Sequence, residues 1–384
     1  MPNNAHSRAG IASAAGAAPA TLITPGQRAL TAEYDVALLD LDGVVYSGPE
    51  AIKGAPEALA RAREAGLRLA FVTNNASRSP SATAEHLSRL GVAARSSDVV
   101  TSAQAAASLI ATKFPPGSAV LVAGSNGLRL ALRERGMRPV SLAADRPVAV
   151  VQGYAPGINY ELLAEAGVAV RDGAFYVATN SDSTLPTPRG PQPGNGSLLA
   201  VIITAFGVQP VVAGKPQTPL HAEAVARTGA QHPLVVGDRL DTDIEGAVRG
   251  GADSMLVLTG VSTPQDAVLA PRGQRPTYIA ADLGGLAERQ PVVGPRGRGR
   301  LAPAGGSAAD AEGESPAGQG GAGPLAFRCG GWQAMRPSGS DPIELTGDGE
   351  WIDGLRALCA AAWSAGHVSE EMAGPALKAL GDPR

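Results

Sequence analysis

Aromatic residues make up only 4 % of this 384-residue chain, so its core has to be built from aliphatic side chains and alanine. Hydrophobic residues as a whole stand at 44 %, enough for a sizeable interior, and the length leaves room for about two domains. Cysteine is scarcer still: Cys329 and Cys359 both fall near the C-terminus. They form neither a disulfide framework nor a zinc-ligand spacing, and the chain is read as cytoplasmic. No apolar run approaches the roughly 20 residues of a membrane-crossing helix. A net charge of −3 gives no general attraction to nucleic acid or to an anionic membrane, so neither is expected as a partner. Glycine is the opposite case: Gly 49 and Pro 31 exceed ordinary usage well beyond what turns require.

That excess points to disordered segments as well as turns. Residues 1–32 are rich in Ala and read as a disordered extension. A weak export signal is the alternative there, but the stretch lacks the strongly apolar centre that such a signal needs. Residues 290–324 alternate Gly and Pro with few large aliphatics and read as a linker. Its Arg296, Arg298 and Arg300, spaced by glycine, are read as solvated rather than as an RNA-binding tract.

Between these stretches the pattern is α/β. Tyr34–Val45 reads as a first strand, Pro49–Ala65 as a helix, Leu67–Val72 as a strand, and Ser79-Pro80 as the capped start of a helix. Asp98–Lys113 reads as one Ala-rich helix. A second αβ series runs from Ala119, and the first pattern resumes at Gln209–Val212. Two αβ blocks, one nested in the other, predict a discontinuous parallel-sheet core over 33–114 and 208–289 with an inserted unit over 115–207. Residues 325–384 read as a small segment: a hairpin around Pro337-Ser338-Gly339, then a helix over Trp351–Trp363. It is too short to stand alone and is expected to dock on the core or on another copy of the chain, which leaves room for a homo-oligomer.

The ends of the core strands carry the chemistry. The first ends in Asp40-Leu41-Asp42-Gly43, the second in Thr73-Asn74-Asn75; the later ones lead to Gly214-Lys215-Pro216 and to Gly237-Asp238. In a parallel sheet these ends converge on one edge, where α/β proteins bind ligands. Carboxylates are costly there unless they are paired or bound to a metal. The set holds acids, a hydroxyl and a fixed cation, which suits phosphoryl transfer. Asp40 and Asp238 can hold Mg²⁺, which binds through one or two carboxylates. Lys215 adds a compact positive charge, and Thr73 and main-chain N–H groups after the first strand, Gly43 among them, add donors. Asp40 can attack phosphorus, and Asp42 can move the proton.

Together, Asp40-Leu41-Asp42-Gly43-Val44-Val45-Tyr46, Phe71-Val72-Thr73-Asn74-Asn75-Ala76-Ser77-Arg78-Ser79, Gly214-Lys215-Pro216 and Gly237-Asp238-Arg239-Leu240-Asp241-Thr242-Asp243-Ile244 resemble the haloacid dehalogenase superfamily, in its 4-nitrophenylphosphatase-like branch. The resemblance runs from about residue 34 to 285. It implies a Rossmann-like core with a large α/β cap, and Mg²⁺-dependent phosphatase activity on a small phosphorylated metabolite. It makes Asp40 nucleophile and metal ligand, Asp42 acid/base and ligand through its carbonyl, and Asp238 the third ligand. Asp243 would hold the metal's water shell, and Thr73, Asn74, Asn75 and Lys215 the phosphoryl group. The stretch Ala178–Asp182, with Leu185-Pro186-Thr187 and Pro193–Ser197, is similar to the branch's bacterial glycerol 3-phosphate phosphatases. These carry an extra C-terminal segment compared to part of an acetyltransferase fold; here it has no acetyl-CoA-binding signature and is assigned no activity. Glycerol 3-phosphate is therefore the first substrate expected. Pyridoxal phosphate, phosphoglycolate, 4-nitrophenyl phosphate and nucleotide monophosphates are the alternatives.

Plainer readings stand beside several of these residues. Asp243 is also placed as a first-turn acid of a helix, and Asn75 as a loop cap. Asn180 and Asp182 either line the substrate pocket or make an Asx-turn, with the turn favoured. His86, His221 and His232 lack metal-ligand spacing and are expected at the surface, whereas Cys359 is expected in the core. Val120–Leu128 resembles a dinucleotide-binding turn, without the full three-glycine fingerprint.

Overall fold

A computed structural model describes residues 28–185, 187, 189–291, 293, 295–296, 325–337, 340–364 and 368–381. Most of the 1–32 extension and of the 290–324 linker therefore lies outside the described residues, as do Pro186 and the Ser338-Gly339 turn. Two edges of those segments differ from expectation. Leu30–Glu33 is a short helical turn with Leu30 buried, and Gln290 and Val293 are buried as well.

β1 (Val36–Leu39) is apolar and buried along its whole length, as a strand inside a parallel sheet must be. It stops at Leu39 rather than Val45, because the Leu41 carbonyl accepts from the N–H groups of Val45 and Tyr46 and closes a turn. A ribbon of Tyr46–Ser47 with Glu50–Ala51 follows, so α1 spans Ala55–Glu64 and not Pro49–Ala65. After β2 (Arg68–Thr73) comes α2 (Pro80–Arg89), capped as expected by Ser79 Oγ, which accepts from Ala82 N–H. The predicted helix at Asp98–Lys113 divides into β3 (Val99–Thr101) and α3 (Ser102–Ala111). Thr101 and Gln104 form a capping box that lets the chain pass from strand to helix without a loop.

The inserted series is β4 (Ala119–Ala123), α4 (Asn126–Glu134), β5 (Arg138–Val140), β6 (Ala149–Gln152), α5 (Tyr160–Arg171), β7 (Phe175–Ala178), α6 (Asn195–Phe206) and β8 (Val211–Val212). The loop before α6 is pinned by a ribbon of Thr184–Leu185 with Gln192–Pro193. The chain then returns through α7 (Thr218–Thr228), β9 (Pro233–Gly237), a wide turn at Leu240–Ile244, α8 (Glu245–Gly250), β10 (Asp253–Val257), α9 (Pro264–Leu269) and β11 (Tyr278–Ala280).

The first sheet is parallel in the order β11-β10-β9-β1-β2-β3. The chain leaves β1 toward β2 and β3 on one side and comes back to β9 on the other. The strand order thus reverses between β1 and β9, and Asp40 and Asp238 each follow directly on one of those two strands. The second sheet is also parallel, in the order β8-β7-β6-β4-β5; Gln209–Val212, expected to resume the first sheet, instead belongs here, because Val211 and Val212 pair with Val177 and Ala178 of β7. Between the two sheets runs α3, whose Ala103, Ala106, Ala107 and Ile110 are buried. One apolar cluster joins Leu38 and Val72 of the first sheet to Val122, Val151 and Val177 of the second.

Within the expected linker, Pro295–Arg296 forms β12, which pairs antiparallel with the C-terminal segment; that segment adds β13 (Leu325–Cys329), β14 (Trp332–Arg336), β15 (Glu344–Gly347), α10 (Trp351–Trp363) and α11 (Glu370–Leu380). A tight turn at Gly330-Gly331 joins β13 to β14, since two glycines suit a two-residue hairpin loop; β14 and β15 are also antiparallel, with the expected Pro337-Ser338-Gly339 between them, of which Ser338-Gly339 lie outside the described residues. The segment docks on the core: Leu355, Leu358 and Cys359 share one cluster with Leu39, Leu256 and Ile279. At the seam Arg356, 4 % exposed, donates to Ile279 O (2.9 Å), Asp353 Oδ1 (2.8 Å) and Gln290 Oε1 (3.0 Å). Trp363 Nε1 lies 3.1 Å from Ala267 O. Arg356→Ala takes the donor from the Ile279 and Gln290 acceptors at the buried seam and the cation from half-buried Asp353, and is expected to lower unfolding free energy by about 3 kcal/mol. Urea unfolding followed by fluorescence should show the whole transition shifting. An early, separate step would mean that the segment does not share the core.

Candidate active site

Four strand ends meet at the β1–β9 reversal. Asp40 extends the β1–β9 pairing by one residue, its N–H donating to Val236 O at 2.8 Å, and this fixes the carboxylate at the mouth of the sheet. Lys215, only 4 % exposed, reaches it from the turn before α7. Its Nζ bridges Asp40 Oδ1 and Asp243 Oδ1, the latter at 2.7 Å, with Val72 O 3.3 Å away. Asp243 stands on the wide turn after β9, where Arg239 N–H donates to its Oδ2. Asp238 accepts from Val261 N–H through Oδ2 at 2.7 Å. Its Oδ1 is buried with no partner.

Asp40, Asp238 and Asp243 offer oxygens that all lie within 4.8 Å of one another. Three carboxylates face one lysine there, and burial together with the surplus negative charge raises the pKa of Asp40 and of Asp238. Burial first, then the neighbouring acids, push Asp40 up to about 7 against the pull of Lys215. Burial and Asp243 push Asp238 up to about 6. For Lys215 burial opposes the charge, but Asp243 and Asp40 outweigh it and hold its pKa above the ordinary value. An orphaned buried carboxylate oxygen beside two more acids is a donor set that fits a hard divalent cation. Packing keeps the cluster tight: a Cβ on Gly43, at φ +84°, would come within 2.4 Å of Asp238 Oδ2.

The remaining expected residues divide. The Asp42 side chain is exposed and stands outside the three-acid cluster, with burial nonetheless raising its pKa. The Thr73 hydroxyl is buried and accepts from Asn75 N–H at 3.1 Å. The Asn75 carboxamide faces away, closing a local turn with Ser77 N–H at 2.8 Å. Asn74 lies against the Lys215 main chain. Asn180 and Asp182 form the Asx-turn, Asp182 N–H donating to Asn180 Oδ1, and Asn180 Nδ2 reaches across to Asn74 O at 2.9 Å.

Two findings differ from the sequence reading or go beyond it. His221 is buried rather than at the surface, because the inward face of α7 packs it against Gly246 of α8. Burial, then the Lys215 charge, lower its pKa to about 4, which keeps the ring neutral. The loop after β10 goes beyond the sequence motifs: Val261 N–H and Ser262 N–H hold Asp238, and Thr259 Oγ1 donates to Gly43 O at 2.6 Å. Its one signal in the sequence is Gly260 among polar residues at a strand end; a Cβ there would fall 2.0 Å from Asp238 Oδ2. The glycines that suggested a dinucleotide turn have packing reasons instead. Gly124 abuts Gly153 O, and Gly127 abuts Ala76 O, which also accepts from Ser125 Oγ.

Residues 37–138 match the haloacid dehalogenase-like hydrolase family, and 212–286 match a further hydrolase-like model of the same group. Residues 329–381 match the GCN5-related N-acetyltransferase-like domain, in keeping with the likeness read from the C-terminal segment. A D-glycerol 3-phosphate phosphatase of Mycobacterium tuberculosis is 50 % identical over 259 residues, covering 67 % of this chain and 72 % of that protein. A 5'-nucleotidase of Bacillus subtilis is 38 % identical over 60 % of this chain and 89 % of its own length. Among solved structures, a glycerol phosphate phosphatase of M. tuberculosis in complex with magnesium superposes with a TM-score of 0.76 at 40 % identity, over 92 % of this chain and 99 % of that one. A 4-nitrophenylphosphatase of Thermotoga maritima gives 0.62 at 31 % identity, over 67 % and 98 %. With its strand-end motifs gathered at one sheet edge, this chain belongs to the haloacid dehalogenase-like hydrolases, in the branch that holds these phosphatases.

Proposed function

We propose that this phosphoric monoester hydrolase acts on glycerol 3-phosphate, with Mg²⁺ and through an aspartyl-phosphate on Asp40. The observation that carries the reading is the three-acid cluster bridged by Lys215, with one Asp238 oxygen buried and unpaired. Asp40, Asp238 and the Asp42 carbonyl would hold the ion, with Asp243 behind them. When bound, Mg²⁺ supplies the charge that lets a carboxylate approach a phosphate dianion. An Asp40 oxygen then attacks phosphorus as the bond to the glycerol oxygen breaks, and Asp42 gives that oxygen its proton. In the second half Asp42 takes a proton from water. The water oxygen bonds to phosphorus, the bond to Asp40 breaks, and inorganic phosphate leaves. Lys215 and Thr73 would hold the phosphoryl oxygens; the Gly43 N–H expected to join them instead donates to Tyr46 O at 2.8 Å, inside the turn after β1. The second sheet is the cap in this reading, its Asn180 and Asp182 loop lying over the site; because β8 belongs to that sheet, the cap would extend past the expected 207 to Val212.

Glycerol 3-phosphate is favoured by the relative that is 50 % identical over 259 residues and is named for that substrate. Phosphate release should be measured on a panel of glycerol 3-phosphate, 4-nitrophenyl phosphate, pyridoxal phosphate, phosphoglycolate and AMP. The expected result is the highest kcat/KM for glycerol 3-phosphate with Mg²⁺, and loss of all turnover in EDTA. A higher value for another member reassigns the substrate. Release that persists in EDTA ends the metal reading.

A further inference from the structure

The motif Thr73-Asn74-Asn75 offers Asn74 to the phosphoryl group, but its carboxamide is already engaged. Oδ1 accepts the N–H of Lys215 at 2.8 Å, and Nδ2 donates to the carbonyl of the same residue at 3.1 Å. These two bonds decide which end is oxygen, since a main-chain N–H can only donate. The other N–H of Nδ2 faces Asp182 Oδ2 at 3.5 Å, the outer limit of a hydrogen bond. Asn74's own carbonyl is held from two sides, by Ser102 Oγ at 2.6 Å and by Asn180 Nδ2 at 2.9 Å. The contact is close enough to dictate its neighbour: a Cβ on Gly214 would come within 2.5 Å of Asn74 Oδ1.

We propose that Asn74 is a positioning residue, gripping the Lys215 peptide as a neighbouring strand would and so aiming the ammonium between Asp40 and Asp243. The proposal rests on the phosphatase reading of Lys215. Lysine carries a charge on a flexible four-carbon stem, and its value at a transition state depends on where the stem is rooted. The head is held by the two carboxylates, and the root is held by Asn74. No other side chain matches both needs: aspartate has no donor for the Lys215 carbonyl, glutamine is one carbon longer, and alanine leaves both peptide groups unpaired.

A double-mutant cycle separates this role from direct contact with substrate. With 4-nitrophenyl phosphate and Mg²⁺, Asn74→Ala is expected to lower kcat about thirtyfold with KM within about threefold of the parent, the signature of an interaction felt in the transition state. In a Lys215→Ala background, measured by single turnover with enzyme in excess, the same change should cost no more than about threefold, because there is no ammonium left to aim. Equal losses in both backgrounds, or a loss carried by KM alone, overturn the proposal. If Asn74→Ala does not fold, Asn74→Asp keeps the size and the acceptor while removing the donor, and serves in the same cycle with the same expectations. A parent chain that releases no phosphate with Mg²⁺ would end the phosphatase reading itself, an outcome distinct from a cycle that is merely additive.

Discussion

Asp40→Asn should lower turnover by on the order of 10⁴-fold or more, because it removes the nucleophile and not merely an orienting contact. The substitution is isosteric, and Lys215 keeps Asp243 as a partner at 2.7 Å, so the surroundings have little reason to move. Stability points the same way. An acid whose folded pKa is raised costs stability once the pH passes its unfolded value, and burial holds Asp40 near 7. At neutral pH and without metal, the variant should therefore melt no lower than the parent. Acid quenching with labelled substrate gives the decisive measurement: the parent should retain label on the protein, sensitive to hydroxylamine, and the variant none. A labelled variant would put the nucleophile elsewhere.

Lys215→Ala is expected to cost on the order of 3 kcal/mol of transition-state stabilisation, a hundredfold or more in kcat/KM. The lysine is buried, and its removal leaves Asp40 and Asp243 facing each other with no cation between them. Breaking a buried pair on one side is destabilising, so the metal-free variant should unfold at lower urea than the parent. Steady-state kinetics and an unfolding curve read the two effects separately. A tenfold loss or less in kcat/KM would show that the ammonium does not face the reacting phosphate.

The four strand ends were legible because buried parallel strands read as plain apolar runs, so polar residues at their ends stand out. Asp40 and Asp238 are such residues; Lys215 follows β8, a short edge strand of the second sheet with Val211 exposed, and is marked instead by its Gly214-Lys215-Pro216 motif, yet the fold brings all three together. Elements that depend on a partner were harder to see. β3 is three residues long and passes without a loop into an Ala-rich helix, so its identity comes from pairing with β2, which no local periodicity reports. β1 ends early because of a turn closed by the Leu41 carbonyl, not because of any breaker in the run. His221 looks like a surface histidine until α8 is laid over it. The carboxamide of Asn74 is engaged by the main chain of Lys215, remote in sequence, which no local pattern announces.

The placement of β1 at the middle of the first sheet also bears on how the chain is made. Emerging from the ribosome, β1 can pair at once with β2, but its other edge waits for β9, which is synthesised after the whole second sheet. Lys215 reaches Asp40 across 175 positions of chain. Until β9 arrives, an apolar strand has an open edge, the kind of surface along which unfinished chains stick to one another. Contacts this distant along the chain also slow folding. Assembly of the reaction centre thus falls late in synthesis, and heterologous production should favour slow translation, low temperature and abundant chaperone over sheer yield of nascent chain.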